Sequence, residues 1–151
     1  MDRMHDSGVV VGPTSSGTSH THRLLGLAGT GLIATVAAMV ATTLAAALAQ
    51  TVGVDFEIPD GGDTIPLSGF AVVTGVFSVV GIVIAAGLLR WNAHPAKRFV
   101  QTAVTLTAIS LVPPLVAEAD TATTTALLGL HLVAATVMIP TLARSLRTRT
   151  D

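Results

Sequence analysis

Residues 99–117 read FVQTAVTLTAISLVPPLVA, and whether this stretch crosses a membrane decides the fold. Its 19 residues include no Asp, Glu, Lys or Arg. At about 1.5 Å per residue they reach roughly 28 Å, just short of a hydrocarbon core of about 30 Å. Pro113 and Pro114 near its end remove two amide donors and free the carbonyls of Ile109 and Ser110. The stretch spans only as a helix that kinks or ends close to the far surface. Length leaves the matter open, and the charges on either side settle it.

Three further blocks free of Asp, Glu, Lys and Arg cover residues 24–49, 67–89 and 122–143. The same rise gives them roughly 39, 34 and 33 Å, enough to span. Arg3 and Arg23 precede the first block, Arg90, Lys97 and Arg98 lie between the second and third, and Arg144, Arg147 and Arg149 follow the fourth. Asp55, Glu57, Asp60 and Asp63 follow the first block, and Glu118 and Asp120 follow the third. With four spans, one side carries eight bases and the acids Asp2, Asp6 and Asp151, a net +5, while the other carries six acids and no base. Short basic loops stay in the cytoplasm. The pattern predicts an all-α, four-transmembrane-helix bundle with both termini cytoplasmic. Removing residues 99–117 from the membrane would scatter bases to both sides.

Composition points the same way. Half of the 151 residues are hydrophobic, 11% are charged, and the mean hydropathy is +0.71, too apolar for the surface of a soluble domain of this size. Cysteine is absent, which excludes disulfides, thiolate metal sites and thiol nucleophiles. There is no H-E-x-x-H, G-x-S-x-G or Walker A pattern and no pair of acids inside a span. An enzyme is therefore not expected, and no cofactor is implied. The basic C-terminus is too short to argue for nucleic acid. The expected partners are the lipid bilayer and another membrane protein or a second copy of the chain.

Outside the spans, residues 1–22 are rich in Ser, Thr, Gly and His and read as a disordered cytoplasmic tail, residues 23–145 form the membrane domain, and residues 146–151 a second tail. His20 and His22 make an H-x-H pair with no further ligand at metal spacing, so a solvated pair is the ordinary reading. Ala47-Leu48-Ala49 resembles a signal-peptidase site, but the 26-residue block that ends with it exceeds a usual h-region of about 7–15 residues, and retention is expected. In the outer loop, Val52, Val54, Phe56 and Ile58 alternate with Gly53, Asp55 and Glu57, a strand's period, and Asp60-Gly61-Gly62-Asp63 supplies a turn. A short extracytoplasmic hairpin is predicted, capping the bundle. Its acids miss calcium-loop spacing and read as a solvated rim. Trp91 in RWNAHPAKR suits the membrane interface.

Within the first span, Ala37, Ala41, Ala45 and Ala49 recur every four residues and suggest a close-packing stripe. Gly69, Gly75, Gly81 and Gly87 recur every six; at about 100° per residue they turn to different faces, so the second helix is expected to be approached from several sides. His131 is the ionisable residue in the middle of the fourth span and needs a polar partner. Aligning span midpoints brings Thr35, Ser78, Thr107 and Ser110 to a comparable depth, which predicts a polar layer of hydroxyls around the imidazole.

GVDFEIP, LSGFAVVTGVFSVVG, LLRW, RFVQT, SLVPPL at residues 110–115 and HLVAATVMIP at residues 131–140 carry a family resemblance. Over about residues 24–145 the chain resembles a group of small actinobacterial four-helix membrane proteins known as a domain of unknown function. The resemblance implies a four-span fold in the bacterial plasma membrane and brings no activity, ligand or catalytic residue. Two functions are consistent with these features. The first is a non-catalytic structural or interaction subunit of the cell envelope. The second is a small permease or channel component, with His131, the hydroxyls and the Pro113-Pro114 break lining a path.

Overall fold

A computed structural model describes residues 16–57, 63–116 and 119–149, with side chains from residue 21 onward. It is all-helical: α1 Ser16–Thr51, α2 Leu67–Trp91, α3 Pro95–Ser110, α4 Val112–Val116 and α5 Thr121–Arg147. Thr21–Thr51, Leu67–Trp91, Pro95–Val116 and Thr121–Arg147 are each long and apolar enough to cross a membrane. α1 thus begins inside the segment expected to be an unstructured tail. An apolar helix already nucleated extends at little cost through Ser, Thr and His when no proline intervenes. Residues 1–15, and with them Arg3, lie outside the described residues.

The doubtful third span gains length at its start. Pro95 occupies the first turn, where its missing amide proton costs nothing, and the helix runs through Lys97 and Arg98 into the apolar stretch. Pro95–Val116 is 22 residues and reaches roughly 33 Å. The helix is interrupted near its far end: α3 stops at Ser110, Leu111 forms a turn, and α4 carries Pro113 and Pro114 within a short final helix.

α1 packs along α2 and α5, and α3 packs on α5 and α2. α2 and α5 meet across the diagonal, whereas α1 and α3 share no contact among the described residues. One apolar cluster joins Leu27 of α1, Ala85 of α2, Phe99 of α3 and Leu142 and Leu146 of α5 at one end of the bundle. A second joins Ala46, Phe70 and Leu130 to Val54 and Phe56 of the loop between α1 and α2 at the other. Arg23, Arg90, Lys97, Arg98, Arg144, Arg147 and Arg149 fall at the first end; Asp55, Glu57, Asp63 and Asp120 fall at the second. The side chains turned outward include Leu32, Ile33, Leu44, Phe77, Val83 and Ile109, a belt that water would penalise and hydrocarbon would not.

Small residues set the α1–α2 approach, on a stripe one position away from the expected one. Ala34, Ala38, Thr42 and Ala46 are buried at a spacing of four, while Ala37 is exposed and Ala41, Ala45 and Ala49 lie on the flank. Both stripes have the same period; Thr42 is compact enough to continue an alanine row, and its hydroxyl adds a bond. That hydroxyl donates to Ala38 O at 2.8 Å and lies 3.1 Å from the Thr74 hydroxyl of α2. Thr42→Val should lower the stability of the bundle by about 0.6 kcal/mol, with Thr74→Val adding nothing further, measured by unfolding in mixed micelles. The glycines of α2 do turn to different neighbours: a side chain at Gly75 would meet Met39 of α1, and one at Gly81 would meet Leu142 of α5.

Among the described residues the predicted hairpin is represented by one antiparallel bridge, Glu57 to Thr64, with Ile65 N donating to Phe56 O at 3.1 Å. Two local features explain this. α1 runs to Thr51 and Val52-Gly53 form the turn that ends it, Gly53 at φ 91°, so the alternation starts only at Val54 and leaves Val52 exposed. Phe56 then takes φ 51°, a left-handed conformation that interrupts an extended strand. Ile58, Asp60 and the turn glycines lie outside the described residues.

Candidate functional site

The hydroxyls and the imidazole expected to form one layer occupy two levels. Gly31 of α1 faces Ile82 of α2, and Met39 faces Gly75, so Thr35 and Ser78 lie between these contacts at a common height. Both are buried, at 6% and 4% exposure. Thr35 donates its hydroxyl to Gly31 O at 2.9 Å, within its own helix. His131 follows Leu130, which packs with Ala46, Phe56 and Phe70. Ala46 stands eleven residues beyond Thr35, a rise of roughly 16 Å along α1. The imidazole therefore belongs to the acid-bearing end, beneath the loop, and the Thr35–Ser78 pair to the interior.

Within its level, His131 is half-buried, and its Nδ1 lies 2.8 Å from Leu127 O, one turn back on α5. A carbonyl only accepts, so Nδ1 carries the proton and donates. That bond closes within its own helix. Ser110 behaves alike, donating to Thr107 O at 2.8 Å, the same carbonyl that accepts Leu111 N at 3.2 Å. That second acceptor role for Thr107 O closes α3 as the proline break begins. Pro114 is buried while Pro113 is exposed. The same habit runs through the bundle, where Thr30, Thr125 and Thr141 each donate to the carbonyl four residues back. These hydroxyls are satisfied within their own helices, and that of Thr42 also meets the Thr74 hydroxyl of a second helix.

Among the described residues no three of His, Asp and Glu come together as a metal site would require. Asp120 serves α5 instead, accepting from Ala122 N at 2.8 Å and Thr123 N at 3.1 Å as its N-cap. The adjacent Thr123 hydroxyl and these amides, all turned towards the carboxylate, hold the Asp120 carboxyl below the usual aspartate range. A depressed pKa means that the cap is fully present above the unfolded-state value and is lost as pH falls through the folded one. Titration of Asp120 by carbon-13 NMR in micelles should give a midpoint below that of an unstructured aspartate, and Thr123→Val should raise it.

Sequence reasoning missed three features. Thr42 was legible as the threonine in register with Ala34, Ala38 and Ala46. Phe56 stacks edge-on against Phe70, centroids 4.8 Å apart at 60°, and only the alternation at residues 52–58 hinted at it. Arg149 donates Nε–H to Ser145 Oγ at 3.1 Å and lays its guanidinium over Gly26 of α1, which nothing local in the sequence announces.

A model of a family of unknown function (DUF6069) matches residues 22–148. No curated protein and no solved structure matches the chain.

Proposed function

The chain belongs to this family of unknown function (DUF6069), and on that premise we propose that it is a multi-pass protein of the bacterial plasma membrane, a non-catalytic structural or interaction subunit of the cell envelope. The observation that carries this reading is that the interior is spent on packing: small residues line the α1–α2 seam, and the buried hydroxyls of Thr35 and Thr42 donate to carbonyls of their own helix. A binding or transport path needs polar groups directed at a guest. Here His131 donates to Leu127 O and stands a level away from Thr35 and Ser78, which counts against the permease reading. The helix ends bearing Arg and Lys face the cytoplasm with both termini, by the preference of short basic loops for that side. The apolar belt is the surface offered to lipid and to a neighbouring membrane protein or a second copy.

Extraction of the tagged full-length chain into native-lipid particles tests this directly. A second membrane protein or a second copy should be retained at fixed stoichiometry. A lone chain that conducts a solute across proteoliposomes in a pH-dependent way, with conduction lost in His131→Ala, would reverse the assignment.

A further inference from the structure

Arg149 differs from the other bases at its end of the bundle. Arg23, Arg90, Lys97, Arg98, Arg144 and Arg147 are exposed, whereas Arg149 is half-buried and fixed. Its Nε–H is committed to Ser145, and its terminal nitrogens lie where a side chain at position 26 would stand, so that glycine alone leaves room for them. The seam beneath is closed by Leu27 and Leu146, at 1% and 0% exposure. Helix geometry brings a second guanidinium to the same mouth. Taking the buried Leu27 as the inward direction of α1, Gly26 lies about 100° to one side and Arg23 about 40° to that same side, one turn nearer the helix start. Arg23 therefore projects between the core direction and the glycine that carries Arg149.

Arg149 thus lies at the end of the α1–α5 seam with Arg23 on the same side of α1 one turn away, and every acid among the described residues is at the opposite end of the bundle. The level is that of the headgroups, because the first apolar cluster begins at Leu27 and Leu146 just inside it. Guanidinium presents parallel N–H donors that match a phosphate oxygen pair, and it gives up hydration more readily than ammonium does. An anion between the two would offset their repulsion where the dielectric is falling towards the hydrocarbon. We propose that Arg149 and Arg23 clamp the phosphate of an anionic phospholipid at the mouth of the α1–α5 seam. Gly26 and Ser145 are positioning residues that hold the Arg149 fork in place. The proposal requires the chain to lie in a bilayer and is independent of its interaction role.

The test is thermal unfolding of the detergent-purified full chain with short-chain phosphatidylglycerol, short-chain phosphatidylcholine or inorganic phosphate. Phosphatidylglycerol should raise the midpoint in a saturable way, and phosphatidylcholine should not. Arg149→Gln and Arg23→Gln should each weaken the apparent affinity roughly tenfold, the loss of one charge-assisted hydrogen bond. Arg149→Lys should recover part of the effect, and Gly26→Leu should mimic Arg149→Gln by displacing the fork. Arg98→Gln, at the start of α3, should leave the affinity unchanged. An equal loss in Arg98→Gln would mean diffuse charge attraction and overturn the site. An equal midpoint shift with inorganic phosphate would overturn the lipid assignment. Circular dichroism of each variant separates these outcomes from misfolding.

Discussion

Phe56→Ala should cost about 3–5 kcal/mol, the range for removing a large buried aromatic side chain. The ring is fully buried at 0% exposure and packs edge-to-face on Phe70, and with Val54, Ala46 and Leu130 it seals the acid-bearing end of the bundle. Its truncation leaves a void that three helices and a loop would have to close together. The backbone sharpens the prediction. Phe56 sits at φ 51°, a conformation that glycine adopts freely and side-chain-bearing residues resist. Phe56→Gly should therefore be no more damaging than Phe56→Ala, contrary to the usual order. Unfolding in mixed micelles gives both values. A loss below 1 kcal/mol in Phe56→Ala would show that the loop does not seal the bundle.

Gly31→Leu is the second large effect. A Cβ at this position would stand 2.6 Å from Cγ1 and 2.8 Å from Cδ1 of Ile82, in the seam between α1 and α2. Cγ1 is near the root of a branched side chain, so rotation alone does not clear it. The helices must separate, and overpacking of this kind costs about 1–3 kcal/mol. Gly29→Leu provides the internal control, because nothing lies within 4 Å of its Cβ position. That change should be neutral or slightly stabilising, since leucine favours a helix over glycine by several tenths to about 1 kcal/mol. Equal effects at the two positions would argue against close packing of α1 on α2.

The four apolar helices were legible because a membrane demands long uncharged blocks and the loops sort their bases and acids strictly. The third was the least secure by length, since Lys97 and Arg98 interrupt the hydropathy; the helix nonetheless starts at Pro95, a position that proline favours. The small-residue stripe was misplaced by one position because a period of four admits several parallel rows, and only packing selects Ala34, Ala38, Thr42 and Ala46. The level of His131 was misjudged for a related reason. Midpoint alignment assumes that helices are centred on one another, whereas α5 continues to Arg147 and so carries its middle towards the basic end. Contacts that close between distant segments, Phe56 on Phe70 and Arg149 over Gly26, leave no periodic trace in one chain.

The orientation of four spans is tested most directly by cysteine labelling, for which a chain without cysteine is ready as it stands. Asp63→Cys, His94→Cys, Ala119→Cys and Thr148→Cys place single thiols at the four described loop and terminal positions. In intact cells a membrane-impermeant maleimide should label Asp63→Cys and Ala119→Cys, and should reach His94→Cys and Thr148→Cys only after permeabilisation. Labelling of Ala119→Cys together with His94→Cys would remove Pro95–Val116 from the membrane and contradict the four-span bundle.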